Sequence, residues 1–262
     1  MTDSSPNTAD APPPRIDVCL VVGGKYHDFD FARRELLNLL SEHPNARVAV
    51  RHNWDDEETL SNSDAIISYT CDVRPSEASQ SALRTWVDAG GRWVALHATN
   101  SALDHPRPAG VEAPRCFPTF AETLGSQFIA HPPAGSFVVE NAAPQHWLVA
   151  GIESFATTDE LYLMEHADRA ALEVLLRTHW LGEAPGFAEA DWSGGSGERL
   201  VQYVRPLGQG AVLYNTLGHC RGHYDMAPLR EFYPIVERCS WETAEYYELL
   251  RRAIRWSFGA TA

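Results

Sequence analysis

The chain has 262 residues, of which 44% are apolar and 21% charged, so it is long enough and apolar enough to bury a substantial core. Its 21 Lys and Arg stand against 35 Asp and Glu, a formal net charge of −14 with no basic run, which argues against nucleic acid or an anionic membrane as partner. Five scattered cysteines without a CxxC pair argue against a disulfide framework or a thiolate zinc site.

The first 14 residues are polar and carry four prolines, and they read as a disordered tail rather than a signal peptide or anchor. No apolar run approaches the ~20 residues of a membrane helix. A reducing, cytoplasmic setting is expected, with the remaining residues, 15–262, forming one domain.

Residues 16–22 (IDVCLVV) form a short β-branched run closed by Gly23 and Gly24, which reads as a buried strand. Apolar residues at helical spacing over 29–40 predict an amphipathic helix. A strand at 47–50, a short helix at 57–60 and a strand at 64–69 follow. Residues 76–89 predict a helix stopped by Gly90 and Gly91, and 92–96 (RWVAL) a strand running into His97. Strands alternating with helices imply right-handed crossovers and a parallel sheet covered by helices on both faces, an α/β fold.

Beyond Asn100 the pattern loosens. Residues 104–118 hold four prolines and a glycine, a long loop leading into a short helix that ends near Leu124. Additional strands are expected at 127–130, 137–140, 160–164 and 172–177, and as a hairpin-like pair at 200–205 and 211–216. Residues 182–197 are glycine-rich and read as a flap, and 241–256 as a closing amphipathic helix.

An open parallel sheet binds ligands beyond the carboxyl ends of its strands. Four histidines fall at such positions: His27 after the first strand, His97 after RWVAL, His131 after QFIA and His219 after AVLYNTLG. Asp159 and Glu160 stand beside the start of a predicted strand, with His146 and His223 near in the pattern. Imidazoles bind divalent metal or exchange protons near neutral pH, and carboxylates complete either kind of site. A lone histidine more often caps a loop, and no compact HExxH motif is present, so the set carries more weight than its members. Gly23 and Gly24 form a tight turn without a GxGxxG pattern, and no nucleotide cofactor is expected. For substrate contacts we single out Gly24, His27, His146 and Tyr162. Trp147, Trp180 and Trp192 lie near glycine-rich loops and could stack on a sugar ring, whereas His43, His52 and His105 read as surface or loop residues.

Taken in order, GGKYHDF (23–29), GGRWVALHA (90–98), LGSQFIAHP (124–132), GIESFATTDELY (151–162), GQGAVLYNTLGH (208–219) and RRAIRWSFG (251–259) resemble the ThuA-like, trehalose-utilisation family. The resemblance implies a flavodoxin-like, mostly parallel sheet similar to that of class I glutamine amidotransferases. In those enzymes the strand matching RWVAL ends in the nucleophilic cysteine and a late strand ends in the triad histidine. Here the two positions are His97 and His219. An imidazole cannot form the thioester, so glutaminase activity is not expected.

Two functions stay open at this level. One is a metal-assisted isomerase, lyase or hydrolase acting on a disaccharide or keto-sugar. A divalent ion such as Zn²⁺ would be held among His27, His97, His131 and His219, and His97, His219, Glu160 or Asp159 would carry the chemistry. The other is a non-catalytic carbohydrate-binding or regulatory protein that kept the fold without the nucleophile. In either case the partner is a small carbohydrate, and homo-oligomerisation is left open.

Overall fold

The first strand, β1 (Ile16–Gly24), feeds two separate cores from its two faces. Val18, Leu20 and Val22 pack with helices α1 (Phe29–Leu40) and α5 (Ala244–Ser257), whereas Cys19 and Val21 face the opposite core. That second core takes in α2 (Glu57–Ser61), α3 (Glu77–Asp88) and α4 (Pro118–Leu124). Burial on both faces is why this strand reads as a continuous apolar run rather than an alternating one. The computed structural model describes residues 13–105, 110–189, 197–226, 231 and 233–261. Residues 1–12 of the expected tail, residues 190–196 of the expected flap, and Trp192 lie outside the described residues.

Among the described residues, nine strands form one mixed sheet. The first four are β1, β2 (Ala46–Arg51), β3 (Ala65–Cys71) and β4 (Arg92–Leu96). After β5 (Ser126–Ala130) come β6 (Gly135–Asn141), β7 (Phe155–Asp159), β8 (Leu163–His166), β9 (Glu173–His179), β10 (Glu198–Leu207) and β11 (Gly210–Asn215). The order across the sheet is β2-β1-β3-β4-β11-β10-β9-β6-β7, while β5 and β8 pair separately as an antiparallel ribbon. Pairings among β2, β1, β3, β4 and β11 are parallel. Every pairing from β11 outward to β7 is antiparallel. The sheet is therefore half parallel rather than mostly parallel. Its later strands join through connections such as the tight β10–β11 turn, which can only link antiparallel neighbours. Gly208 in that turn has φ +59°, and a Cβ there would sit 2.5 Å from the Asp88 carbonyl oxygen.

Helix starts follow the sequence closely. Asp28 caps α1 by accepting from the Phe31 N–H at 3.0 Å, and Ser76 caps α3 by accepting from the Ser79 N–H at 3.1 Å. One element departs from expectation. The strand anticipated over 160–164 is two strands, β7 ending at Asp159 and β8 beginning at Leu163. No helix among the described residues is long and apolar enough to cross a membrane.

Candidate functional site

β1, β4 and β11 are parallel, so their carboxyl ends open onto one edge of the sheet. His27 follows β1 in the turn before α1, His97 directly follows β4, and His219 lies four residues beyond β11. β7 runs in the same direction as β11, which delivers Glu160 to this edge from the end of a strand rather than its start. One ligand atom from each of His27, His97, Glu160 and His219 lies within 4.8 Å of all the others, and all four residues are buried.

The ring nitrogens have defined roles. His97 Nδ1 lies 2.7 Å from the Thr216 carbonyl oxygen, and His27 Nδ1 lies 3.2 Å from that of Lys25. A carbonyl oxygen only accepts, so both Nδ1 atoms carry the proton and both Nε2 atoms present a lone pair. Those Nε2 atoms face each other at 3.0 Å. The Tyr162 hydroxyl oxygen lies 3.1 Å from His97 Nε2. His219 Nε2 lies 3.0 Å from a Glu237 carboxylate oxygen. Its Nδ1 is 3.2 Å from Glu160 Oε2 but outside hydrogen-bonding geometry, leaving a buried nitrogen without a hydrogen-bond partner.

Burial pushes the His27 imidazole well below its usual range, and the neighbouring His97 and His219 add to the effect. Burial works to raise Glu160, but His131 and His219 override it and hold the carboxyl well below the ordinary carboxylate range. Burial would likewise lower His219, yet the Glu160 and Glu237 carboxylates raise it to about 9. His97 has φ +44°, a left-handed conformation that side-chain-bearing residues adopt at a cost, at the turn from β4 into a 3₁₀ turn (His97–Asn100).

The cluster lies at the base of a cavity of about 430 Å³. His27, Glu160 and His219 reach its wall, and Tyr26, Phe128, Tyr162, Phe187 and Tyr233 give it aromatic sides. His97 is fully buried. His131 lines the wall with Nδ1 donating to the Pro132 carbonyl at 2.8 Å and Nε2 3.8 Å from Glu160 Oε2. It stands beside the four-residue cluster and not in it.

Other expected residues sit elsewhere. Both Asp159 oxygens are filled by main-chain donors: Oδ1 accepts from the N–H groups of Glu160 and His219, and Oδ2 from those of Gly218 and Ser240. Asp159 therefore builds the loop that carries His219, and no lone pair is left for proton transfer. Gly24, at φ +123°, is pressed against the end of β3, where a Cβ would meet the Cys71 carbonyl oxygen at 1.9 Å; it shapes the turn and does not line the cavity. His146 follows the carboxyl end of β6, whose opposite end pairs Gly135 with Asp159, so it belongs to the far edge of the sheet. There it approaches Glu173 at 3.7 Å. Trp147, Trp180 and His223 do not line the cavity. His105, read from sequence as a loop residue, stands at the wall with its Nε2 2.9 Å from the Tyr26 hydroxyl. Glu237 and Arg221 were not visible in the sequence pattern.

A family model described as trehalose utilisation, ThuA, matches residues 18–233, and the chain belongs to that family. No curated protein matches the chain in sequence. Among solved structures, a ThuA-like protein of Bacteroides uniformis superposes with a TM-score of 0.64 at 18% identity, covering 97% of this chain and 95% of its own. One from Parabacteroides merdae gives 0.67 at 14% identity, with 94% and 90% covered. A cold-adapted β-galactosidase of Rahnella gives 0.53 at 13% identity, where 92% of this chain matches 32% of the enzyme. At these identities the likeness is one of fold.

Proposed function

We propose that the chain is a divalent-metal-dependent enzyme acting on a sugar derivative, with His27, His97, Glu160 and His219 holding the ion. The observation that carries this reading is the pair of Nε2 lone pairs facing each other at 3.0 Å. Two buried lone pairs at that distance repel unless a proton or a cation lies between them, and burial disfavours the extra proton on His27. Two nitrogens bound about 2.0–2.1 Å from a tetrahedral zinc are separated by about 3.3 Å, close to the spacing found. His219 Nδ1, buried beside Glu160 without a hydrogen bond, would give a third nitrogen once the ion displaces its proton, and Glu160 a carboxylate. Each imidazole has its outer nitrogen held by an acceptor, the usual arrangement behind a ligating histidine.

When bound, such an ion supplies Lewis-acid polarisation of a hydroxyl or carbonyl oxygen. The protein groups around it do the rest. The aromatic walls offer flat apolar faces for a sugar ring, and Tyr162 keeps a hydroxyl at the base of the cavity. His131 has Nδ1–H committed to Pro132, so its Nε2 is a basic atom on the wall, placed to take or return a substrate proton. The parallel strands β2-β1-β3-β4-β11 follow the 2-1-3-4-5 order of flavodoxin-like sheets, which supports the amidotransferase-like comparison with His97 in the nucleophile's place.

Metal analysis of untagged protein tests the reading. About one equivalent of a divalent ion per chain is expected, lost in His27→Ala and in Glu160→Gln, with chelator-sensitive turnover of a keto-sugar or disaccharide derivative. Wild-type protein that takes up no Zn²⁺, Co²⁺ or Mn²⁺ when these are added would overturn it and favour a non-catalytic carbohydrate-binding role.

A further inference from the structure

We propose that Glu237 is the positioning residue of this site, the carboxylate that fixes His219 with Nε2 protonated and so turns Nδ1 toward the ion. The inference rests on the metal reading above. A carboxylate oxygen only accepts, so at 3.0 Å the His219 Nε2–H is the donor. An ion bound at Nδ1 displaces the proton there; the ring then keeps only the one that Glu237 holds on Nε2, and Nδ1 presents its lone pair to the cluster. For His27 and His97 the same task falls to the main-chain carbonyls of Lys25 and Thr216. His219 alone among the three depends on a side chain, which a substitution can remove.

Glu237 is itself firmly placed. Arg221 and Glu237 exchange both main-chain hydrogen bonds, at 3.0 and 2.8 Å, and the Arg221 guanidinium pairs with the Glu237 carboxylate. The same guanidinium lies 4.1 Å from the centre of the Tyr233 ring. The next residue, Arg238, bonds the Asp28 carboxylate at 2.9 Å, and Asp28 is the residue after His27 and the cap of α1. One short segment thus grips two of the loops that present ligands. An outer carboxylate of this kind both orients the ring and raises its basicity, and its loss typically weakens metal binding about 10–100-fold.

Zn²⁺ affinity of the full chain, measured by chelator competition for wild type, Glu237→Gln and Glu237→Ala, tests the proposal. Binding about 10–100-fold weaker in Glu237→Gln is expected. In ¹⁵N-histidine spectra of the Zn²⁺-loaded protein, a slowly exchanging Nε2–H of His219 is expected in wild type and lost in Glu237→Ala. Glu237→Gln keeps the shape of the side chain, so a poorly folding alanine variant still leaves a reading. Wild-type Zn²⁺ affinity in both variants overturns the assignment, even if their melting temperatures fall, because a purely structural Glu237 gives that result. Wild type that binds no Zn²⁺ overturns the metal reading itself.

Discussion

Asp159 holds His219 by its backbone while Glu160, the next residue, meets its ring. The Asp159 carboxylate takes the His219 N–H at 3.0 Å and the Gly218 N–H at 2.8 Å, and Glu160 Oε2 lies 3.2 Å from His219 Nδ1. Two adjacent carboxylates thus divide one residue between them, one setting the loop and the other the site. Replacing Asp159 by Asn turns an amide N–H₂ toward main-chain N–H donors, and a loss of about 2–4 kcal/mol is expected for a buried acceptor so disrupted. Chemical denaturation measures this. An Asp159→Asn midpoint equal to wild type, with metal binding intact, would show that the carboxylate does not build the loop.

His97 allows strain to be separated from ligation. Both His97→Ala and His97→Gly remove the ring and, under the proposed metal reading, are expected to abolish Zn²⁺ uptake. Only glycine accepts φ +44° without penalty, so His97→Gly should be about 1 kcal/mol more stable than His97→Ala. Equal denaturation midpoints for the two variants would show that the backbone there is not strained.

No glutamine hydrolysis is expected. Burial pushes the Cys71 thiol well above its usual range and raises that of Cys220 to about 12, so neither supplies a thiolate near neutral pH. In the native protein, alkylation should modify the exposed Cys116 first and leave Cys19, Cys71 and Cys220 intact. Ammonia release from glutamine that disappears in a Cys→Ser variant would contradict this.

Stability should fall on acidification, in part through His166. Burial lowers its imidazole to about 4, with Arg169 contributing in the same direction. Between about pH 6.5 and 4 the unfolded chain binds a proton there that the folded chain refuses. Stability is thus full above 6.5, falls as pH drops toward 4, and loses no more below that, by at most about 3 kcal/mol. Substitution of His166 by Phe should flatten this part of the pH–stability curve. An unchanged slope would mean that the ring is protonated in the folded protein.

The parallel half of the sheet was legible because its strands are buried on both faces and read as unbroken apolar runs, as in β1 and β3. That pattern also found His27, His97 and His219 without any local motif. β7 was misread for the opposite reason. Its residues, Phe-Ala-Thr-Thr-Asp, alternate between buried and exposed at the sheet's edge, where little apolar content is needed. The apolar signal belongs instead to Leu161, Tyr162, Leu163 and Met164, all buried, which drew the predicted strand past Glu160 and hid its true direction. His146 failed because β6 runs against β7, so the residue after its carboxyl end is carried away from the site. Glu237 comes from an irregular segment with no periodicity, and only folding shows that it meets His219.

Counting reversals across the sheet gives β7 a parity. Four antiparallel pairings separate it from β11, and an even number restores the original direction. Adding or deleting one strand anywhere between them would turn β7 around and send the carboxylate that follows it to the wrong rim. Two strands, inserted together as a hairpin, would leave the heading unchanged. The outer half of this fold can thus lengthen or shrink in steps of two while still presenting an acid to the three histidines.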